Sequence, residues 1–357
     1  MPIYMDRHDV SKHVTAENVA QLHQEDLKVQ HKFKCRGLTY WFDEQRKTAF
    51  CLIEAPNKQA LQDMHNHAHG EVPHRIIEVD INIVESFLGR IEDPEMAQNA
   101  KLNIINDPAF RTLAVYEAEG IRFNGDSNKI IERIKEFEGS IVKHTSNFIL
   151  TSFVSVTQAV QCALSIDSEL DNESKLNIGI GAGVPVTDEE VMFQSTIEFA
   201  EKACWVQKKA IVTSKEVRDL YKSENANIFP KGNICSLGIL EADFLEKLFE
   251  FIEENWQNPE IVVEDFGKNI GLSKSQLFRK IKSMLGIPPN TFLRDYRLKK
   301  ALEIIKDEEK DVSEITFMVG FNSRSYFSKR FGERYGISPR DLKKKLTESE
   351  FSMEAVD

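Results

Sequence analysis

The sequence predicts a multidomain fold, with two mixed α and β units followed by an all-α unit that carries two helix-turn-helix motifs. Three observations lead there. The chain has 357 residues, and single hydrophobic cores rarely grow past about 250–300 residues. Strand-like and helix-like stretches alternate through the first two-thirds. From Phe251 to Leu346 a helix-turn-helix pattern occurs twice. The expected divisions are 1–82, a linker over 83–108, 109–225, 240–346, and an acidic tail over 347–357.

In the first unit, Pro2–His8 reads as a strand, and Thr15 as the N-cap of a helix through Val19, Leu22 and Leu27. Gly37–Asp43 and Thr48–Glu54 read as a hairpin rich in β-formers, with Trp41 and Phe50 among them. Asn57–Ala68 is a second helix and Arg75–Ile81 a fourth strand. The order βαββαβ predicts a ferredoxin-like α+β domain. Its unusual chemistry is His65-Asn66-His67-Ala68-His69-Gly70-Glu71, with His74 close behind. His65 and His69 stand one helical turn apart on one face, the spacing two metal ligands use. Imidazoles suit zinc, copper, iron or nickel. The candidate metal residues are therefore His65, His69, Glu71 and His74, and solvated histidines at a polar helix end are the competing reading.

Phe50-Cys51-Leu52-Ile53-Glu54-Ala55-Pro56, the Tyr40–Trp41 pair, and His65 five residues before Gly70 resemble a small ferredoxin-like family with nickel-binding members. The resemblance covers Pro2 to about Asp80. It implies a transition-metal cofactor such as nickel, with His65 at the family's helix histidine. Asp6 takes the place of the family's acidic residue in the first strand; His67, His69 and His74 are additional here.

Over 81–107 the sequence reads as a helix and a linker. From Thr112 a second alternation runs. Strands are expected at Leu113–Tyr116, Ser140–His144, Phe148–Phe153, Leu176–Gly181 and Ala210–Thr213. Helices are expected at Ser127–Phe137, Val156–Leu170 and Gln194–Trp205. Gly139-Ser140-Ile141-Val142-Lys143, Ala159-Val160-Gln161-Cys162-Ala163-Leu164, Leu176 to Val184 and Ile211-Val212-Thr213-Ser214 resemble the class III nucleotide cyclase domain in outline. That family holds two metal ions on two aspartates, whose places here fall on Glu117 and Asn147. Its Asn-and-Arg pair falls on Glu198 and Lys202. A neutral Asn147 and an anionic Glu198 imply a degenerate, non-catalytic domain, so no enzyme activity is expected. Gly179-x-Gly181-x-Gly183 has the wrong spacing for a phosphate loop.

In the last unit a helix is expected at Val263–Asn269, a turn at Gly271-Leu272-Ser273, and a second helix from Lys274 to Met284. The pattern repeats as a helix over Ser313–Val319, a turn at Gly320-Phe321-Asn322, and a helix over Ser323–Phe331. Ser273-x-x-Gln276 and Asp311-x-x-Glu314 are capping-box signatures. Ser338–Pro339 reads as the N-cap and first residue of a last helix. Phe292, Tyr296, Leu298, Ala301, Leu302 and Ile305 form one apolar stripe on the helix between the motifs. Leu277 and Ile281 are expected inward, which leaves Lys274, Ser275, Phe278 and Arg279 outward. Tyr326, Phe327 and Phe331 are likewise expected inward, which leaves Arg324, Ser325, Ser328 and Lys329 outward. Lys300 and Arg340 are expected to meet phosphates or to be solvated.

This stretch resembles the AraC-type transcription regulators. The residues that carry the likeness are Gln276-Leu277-Phe278-Arg279, Gly286-Ile287-Pro288, Arg297 to Ala301, Val319 through Phe331, and Gly336-Ile337-Ser338-Pro339-Arg340. Gly267 and Thr316 depart from the family's usual alanines. The resemblance implies double-stranded DNA as partner and a homodimer, with a small-molecule or metal effector. Arg279 and Arg324 are the expected base readers.

Composition fits this reading. The net charge is −11, but between Lys268 and Lys345 basic residues outnumber acidic ones about two to one. No apolar run approaches the roughly 18–20 residues of a membrane span. Residues 1–6 do not read as a signal peptide. Five scattered cysteines point to a reducing cytoplasm. Two other functions stay open on sequence: a nucleotide cyclase fused to a DNA-binding domain, and a metal-binding protein.

Overall fold

The computed structural model describes residues 1–94, 102–123, 125–170, 176–207, 210–307 and 310–354. Its first part contains β1 (Ile3–Asp9), α1 (Ala16–Val29), β2 (Arg36–Asp43), β3 (Thr48–Glu54), α2 (Lys58–Ala68) and β4 (Arg75–Val79). The strands form one antiparallel sheet in the order β2-β3-β1-β4. The helices begin where short polar side chains cap them: Thr15 Oγ1 accepts from Asn18 N and Asn57 Oδ1 from Ala60 N.

Both faces of this sheet are buried. Side chains alternate along a strand, so Tyr4, Tyr40, Phe42 and Ile53 pack beneath α1 and α2, while Met5, Trp41, Phe50 and Leu52 pack the opposite way. The second face meets Leu113, Val115 and Leu150 of another sheet, with α3 (Ile81–Leu88) in the same layer. The helix expected within 81–107 is thus α3, packed in the core. Phe87 O accepts from Arg111 Nε (3.1 Å) and Ser152 Oγ (2.7 Å), so α3 is pinned to the second sheet.

That second sheet holds β5 (Arg111–Ala118), β6 (Ser140–His144), β7 (Phe148–Phe153), β8 (Leu176–Gly183), β9 (Ile211–Thr213) and β10 (Ile234–Ser236), in the order β10-β9-β8-β5-β7-β6. Its four-strand core, β8-β5-β7-β6, repeats the strand order of the first sheet. β9 and β10 add parallel strands at one edge. Helices α4 (Ser127–Glu136), α5 (Val156–Glu169) and α7 (Lys215–Glu224) cover the far face, and α6 (Gln194–Ala203) lies on β8. A Cβ on Gly179 would collide with Ala200 O, and one on Gly183 with Thr196 Oγ1. The alternate glycines of β8 let a helix approach the strand closely.

The C-terminal part is helical. It comprises α8 (Ile239–Asn255), α9 (Val263–Ile270), α10 (Lys274–Leu285), α11 (Pro289–Asp307), α12 (Val312–Met318), α13 (Arg324–Tyr335) and α14 (Pro339–Glu354). Helix α11 feeds two cores. Phe292, Leu293 and Tyr296 pack with α8 and α10, whereas Leu298, Ala301, Leu302 and Ile305 pack with α12 and α13. The stripe expected on this helix is buried along its whole length. Gly271 and Gly320 both take positive φ, at +74° and +77°, as the two tight turns require. The end of the expected acidic tail, 355–357, lies outside the described residues.

Candidate nucleic-acid interface and candidate metal cluster

The first recognition helix, α10, starts at a reciprocal capping box. Ser273 N donates to Gln276 Oε1 (2.9 Å) and Gln276 N to Ser273 Oγ (3.3 Å). Leu277 and Ile281, one turn apart, are fully buried with Met284 and Leu285. Lys274, Ser275, Phe278 and Arg279 are exposed and line a shallow surface depression with Ser273. Phe278 is 43% exposed. Arg279 Nε donates to Ser275 O at 3.3 Å, which lays the guanidinium along the helix face.

In α13 the Ser323 hydroxyl caps Tyr326 N at 3.3 Å, and Phe327 and Phe331 are buried one turn apart. Arg324, Ser325 and Lys329 are exposed and Ser328 is half-buried. Tyr326 corrects the inward assignment: it is 45% exposed, with the Arg330 guanidinium 5.1 Å from its ring centre. Phe327 and Phe331 already fill the inward stripe, and Tyr326 stands about 100° round the helix from Phe327. Lys300 is also tied, 3.5 Å from Glu253 and 3.8 Å from Glu303; Arg340 is exposed. At the two departures, a Cβ on Gly267 would stand 2.7 Å from Leu272 O, and the buried Thr316 satisfies its hydroxyl on Val312 O (2.8 Å). Asp311 caps Ser313 N at 3.0 Å; the reciprocal Glu314 contact is absent from the hydrogen bonds among the described residues.

The histidines of α2 divide. His65 is 1% exposed. Its Nε2 donates to Asp6 Oδ2 at 2.9 Å and its Nδ1 to Asp26 Oδ1 at 3.0 Å. His69 Nε2 lies 3.3 Å from Asp26 Oδ2 and 3.4 Å from His65 Nδ1. Asp6 shares its sheet face with Tyr4 and His8 and also accepts from Cys51 N (3.0 Å), with His8 Nε2 3.4 Å away. Burial alone would strip the His65 proton, but the hydrogen bonds and charges of Asp26 and Asp6 hold its pKa up at about 10. Burial opposes ionisation of Asp6 too, yet His8 and His65 hold it well below the usual carboxylate range. His65 is therefore an imidazolium clamped between two carboxylates.

His67, Glu71 and His74 are exposed. Glu71 reaches the cluster only through its backbone, donating N–H to His69 Nδ1 (3.1 Å), and His74 Nδ1 accepts from Asp9 N (3.1 Å). The close donor groups are Asp26–His65–His69 and Asp6–His8–Cys51. The sequence pairing of His65 with His69 is thus met in space, but their carboxylate partners are Asp26 and Asp6. Asp26 comes from α1, 39 residues away, and no local pattern marks it.

In the middle sheet Glu117 pairs with Phe148 at the end of β5, the next residue Ala118 N donates to Asn147 O at 3.0 Å, and Glu117 and Asn147 line one cleft. Glu198 and Lys202 pair with each other at 2.9 Å, and Lys202 also meets Glu246 of α8 at 2.7 Å. No disulfide joins any of the five cysteines. Among the described residues no helix is long and apolar enough to cross a membrane.

Residues 4–79 match the family of nickel-responsive proteins similar to SCO4226, and residues 267–345 match a helix-turn-helix domain family. The chain is 38% identical over 84 residues to the uncharacterized HTH-type transcriptional regulator YdeC of Bacillus subtilis, covering 24% of this chain and 29% of that protein. It is 31% identical over 113 residues to histidine kinase P4 of Formosa agariphila, covering 32% of this chain and 8% of that protein. Its first part is similar to the solved structure of SCO4226 from Streptomyces coelicolor, with 32% identity, 22% of this chain and 94% of that chain covered, and a TM-score of 0.21. The chain spans only 8–36% of the length of such curated relatives. The two family matches do not reach the middle sheet.

Proposed function

We propose that this chain is a sequence-specific DNA-binding transcription regulator of the AraC type whose N-terminal part senses a metal; its match to a helix-turn-helix domain family over 267–345 and its likeness to an HTH-type regulator support the reading. The observation that carries the DNA reading is the division of α10 and α13. Each buries an i, i+4 apolar pair and turns basic and hydroxyl side chains outward. A major groove admits one such helix, and α11 at ~1.5 Å per residue spans ~28 Å, close to the ~34 Å repeat of grooves on one DNA face. We place the regulator in the cytoplasm as a homodimer, since two copies on one site raise its affinity without new contacts.

The metal reading rests on Asp26, His65 and His69. Two imidazoles and a carboxylate suit a borderline transition metal such as nickel, and Asp6 would orient the His65 ring from behind. Such an ion would supply a bond joining α1 to α2. The residues fit it at a cost: His65 must lose its Nδ1 proton, and His69 must give up the Nε2 proton it now points at Asp26. The strand order β2-β3-β1-β4 supports the ferredoxin-like reading of this part.

The test is genomic DNA retention by purified protein with and without nickel, beside a His69→Ala variant. Discrete retained fragments whose yield shifts with nickel, and only in the wild type, are expected. Indiscriminate retention would defeat the regulator reading, and an equal nickel response in both proteins the metal reading. Light scattering of the DNA complex should count two chains per site; one chain would remove the dimer.

The middle sheet we read as a cyclase-like domain without catalysis. Its strand order and the placing of Glu117 and Asn147 on one cleft support the outline, and the neutral Asn147 removes one of two bridging anions. Incubation with ATP or GTP and manganese is expected to give no cyclic nucleotide. Product formation lost on Glu117→Ala would reverse this.

A further inference from the structure

A cleft of about 320 Å³ lies where β5 ends, with Glu117, Asn147 and Trp205 on its middle-sheet side and Asp295, Lys299 and Arg334 on its C-terminal side. Lys299 and Arg334 bring cations from the C-terminal part, beside Arg122 of the middle part. Lys299 Nζ is 2.6 Å from Glu117 Oε1 and 5.4 Å from the Trp205 ring centre. Lys306 Nζ donates to Asn147 Oδ1 (2.8 Å) and Ser146 Oγ (2.9 Å). The two lysines are seven residues apart, about two helical turns, and so share one face of α11. Burial favours the neutral amine of Lys299, but Glu117 keeps it charged.

The grip extends to both helix-turn-helix units. Gln207 N donates to Met284 O at 3.1 Å, and Trp205 packs into the core shared by α8, α10 and α11. Ile121 packs against the core of the second unit. Arg334 of α13 meets Asp295 of α11 at 2.9 Å, which closes the cleft from the second unit's side. The outward residues of α10 and α13 stay exposed, apart from the half-buried Ser328.

We propose that this strand-end cleft is an intramolecular docking site for the chain's own linking helix: Glu117 and Asn147 receive Lys299 and Lys306, and the middle sheet braces both helix-turn-helix units at one spacing. Glu117 and Asn147 are the positions at which the cyclase-like outline expects metal-holding aspartates, so lysines of the same chain supply the positive charge there. The consequence for DNA rests on the regulator reading above; the docking itself does not. A brace of this kind pre-orders the two units, and pre-ordering raises affinity for a site that spans two grooves.

The experiment uses the full chain in four forms: wild type, Glu117→Gln, Lys299→Met, and the swap Glu117→Lys with Lys299→Glu. Hydrogen exchange of the α11 amides reads docking directly, and affinity for a selected site and for random DNA reads its consequence. Each neutral variant should speed α11 exchange on the order of tenfold, and the swap should restore it. The neutral variants should lose on the order of tenfold in affinity for the selected site, with random DNA unchanged. Unchanged exchange in both neutral variants, or no recovery in the swap, overturns the docking site. Altered exchange with equal or tighter specific binding overturns the bracing role. If even the wild type shows no specific binding, the regulator reading fails while exchange still decides the docking.

Discussion

His65→Ala is expected to cost the N-terminal domain about 3–5 kcal/mol, the usual penalty for removing one partner of a buried ion pair. Asp6 is fully buried, and its carboxylate would keep only the more distant His8 and the Cys51 amide as partners. Asp26 would keep His69. His69→Ala should cost only about 1 kcal/mol, since the His69 ring, though buried, duplicates a hydrogen bond that Asp26 already receives from His65. Urea unfolding of the metal-free chain, read at the transition that exposes Trp41, measures both. Similar small losses would mean that Asp6 is resolvated and that the clamp is not structural.

The same clamp sets a pH window. The folded pKa of His65, about 10, lies above its ordinary value of 6.5. Its contribution is therefore complete below the ordinary value and disappears as pH rises through about 10. Asp6 and Asp26 are shifted down. Their contribution is complete above the ordinary carboxylate range and disappears as pH falls through their lowered folded values. The metal-free domain should be most stable at mildly acidic pH, between the ordinary carboxylate and imidazole values, and weaken on both sides. A His65→Ala protein should lose the alkaline limb, and its persistence would assign that limb to another group.

The parts of this molecule that could be read along the chain are those whose causes are local. Ser273 and Gln276 cap each other three residues apart, and Gly271 and Gly320 adopt the positive φ their turns require, so both motifs were visible at once. The inward face of α10 followed from Leu277 and Ile281 alone. What could not be read depends on neighbours from elsewhere. His65 and His69 were found by spacing, but Asp26 reaches them across 39 residues and looks like any other polar position on α1. Trp41 and Phe42 are both fully buried because a second sheet covers the face that a two-layer domain would leave wet. Lys299 and Lys306 have the composition of a solvated helix flank, yet Glu117 and Asn147 of the docked middle sheet receive them. Tyr326 went astray for the opposite reason: aromatic character suggested burial, yet its position round the helix puts it on the flank.

The exposed arginines carry the DNA prediction. Arg279 on α10 and Arg324 on α13 sit beside small hydroxyl residues, Ser275 and Ser325, which leave room for a guanidinium to reach a base edge. A guanidinium can donate two parallel hydrogen bonds to guanine, and a good bidentate pair is worth about 1–3 kcal/mol of discrimination. Arg279→Ala and Arg324→Ala should each cost about that much on the selected site and relax preference at one base pair, with little change on random DNA. Lys329 carries a point charge on a flexible stem, which suits a phosphate better. Lys329→Ala should therefore weaken specific and random binding alike and lower the salt slope by about one. Binding titrations over a salt series, with operator and scrambled DNA, separate the roles. Arginine variants that lose both kinds of binding equally would make Arg279 and Arg324 phosphate contacts, and base reading would then pass to the remaining outward residues, Lys274, Ser275, Phe278, Ser325 and Ser328.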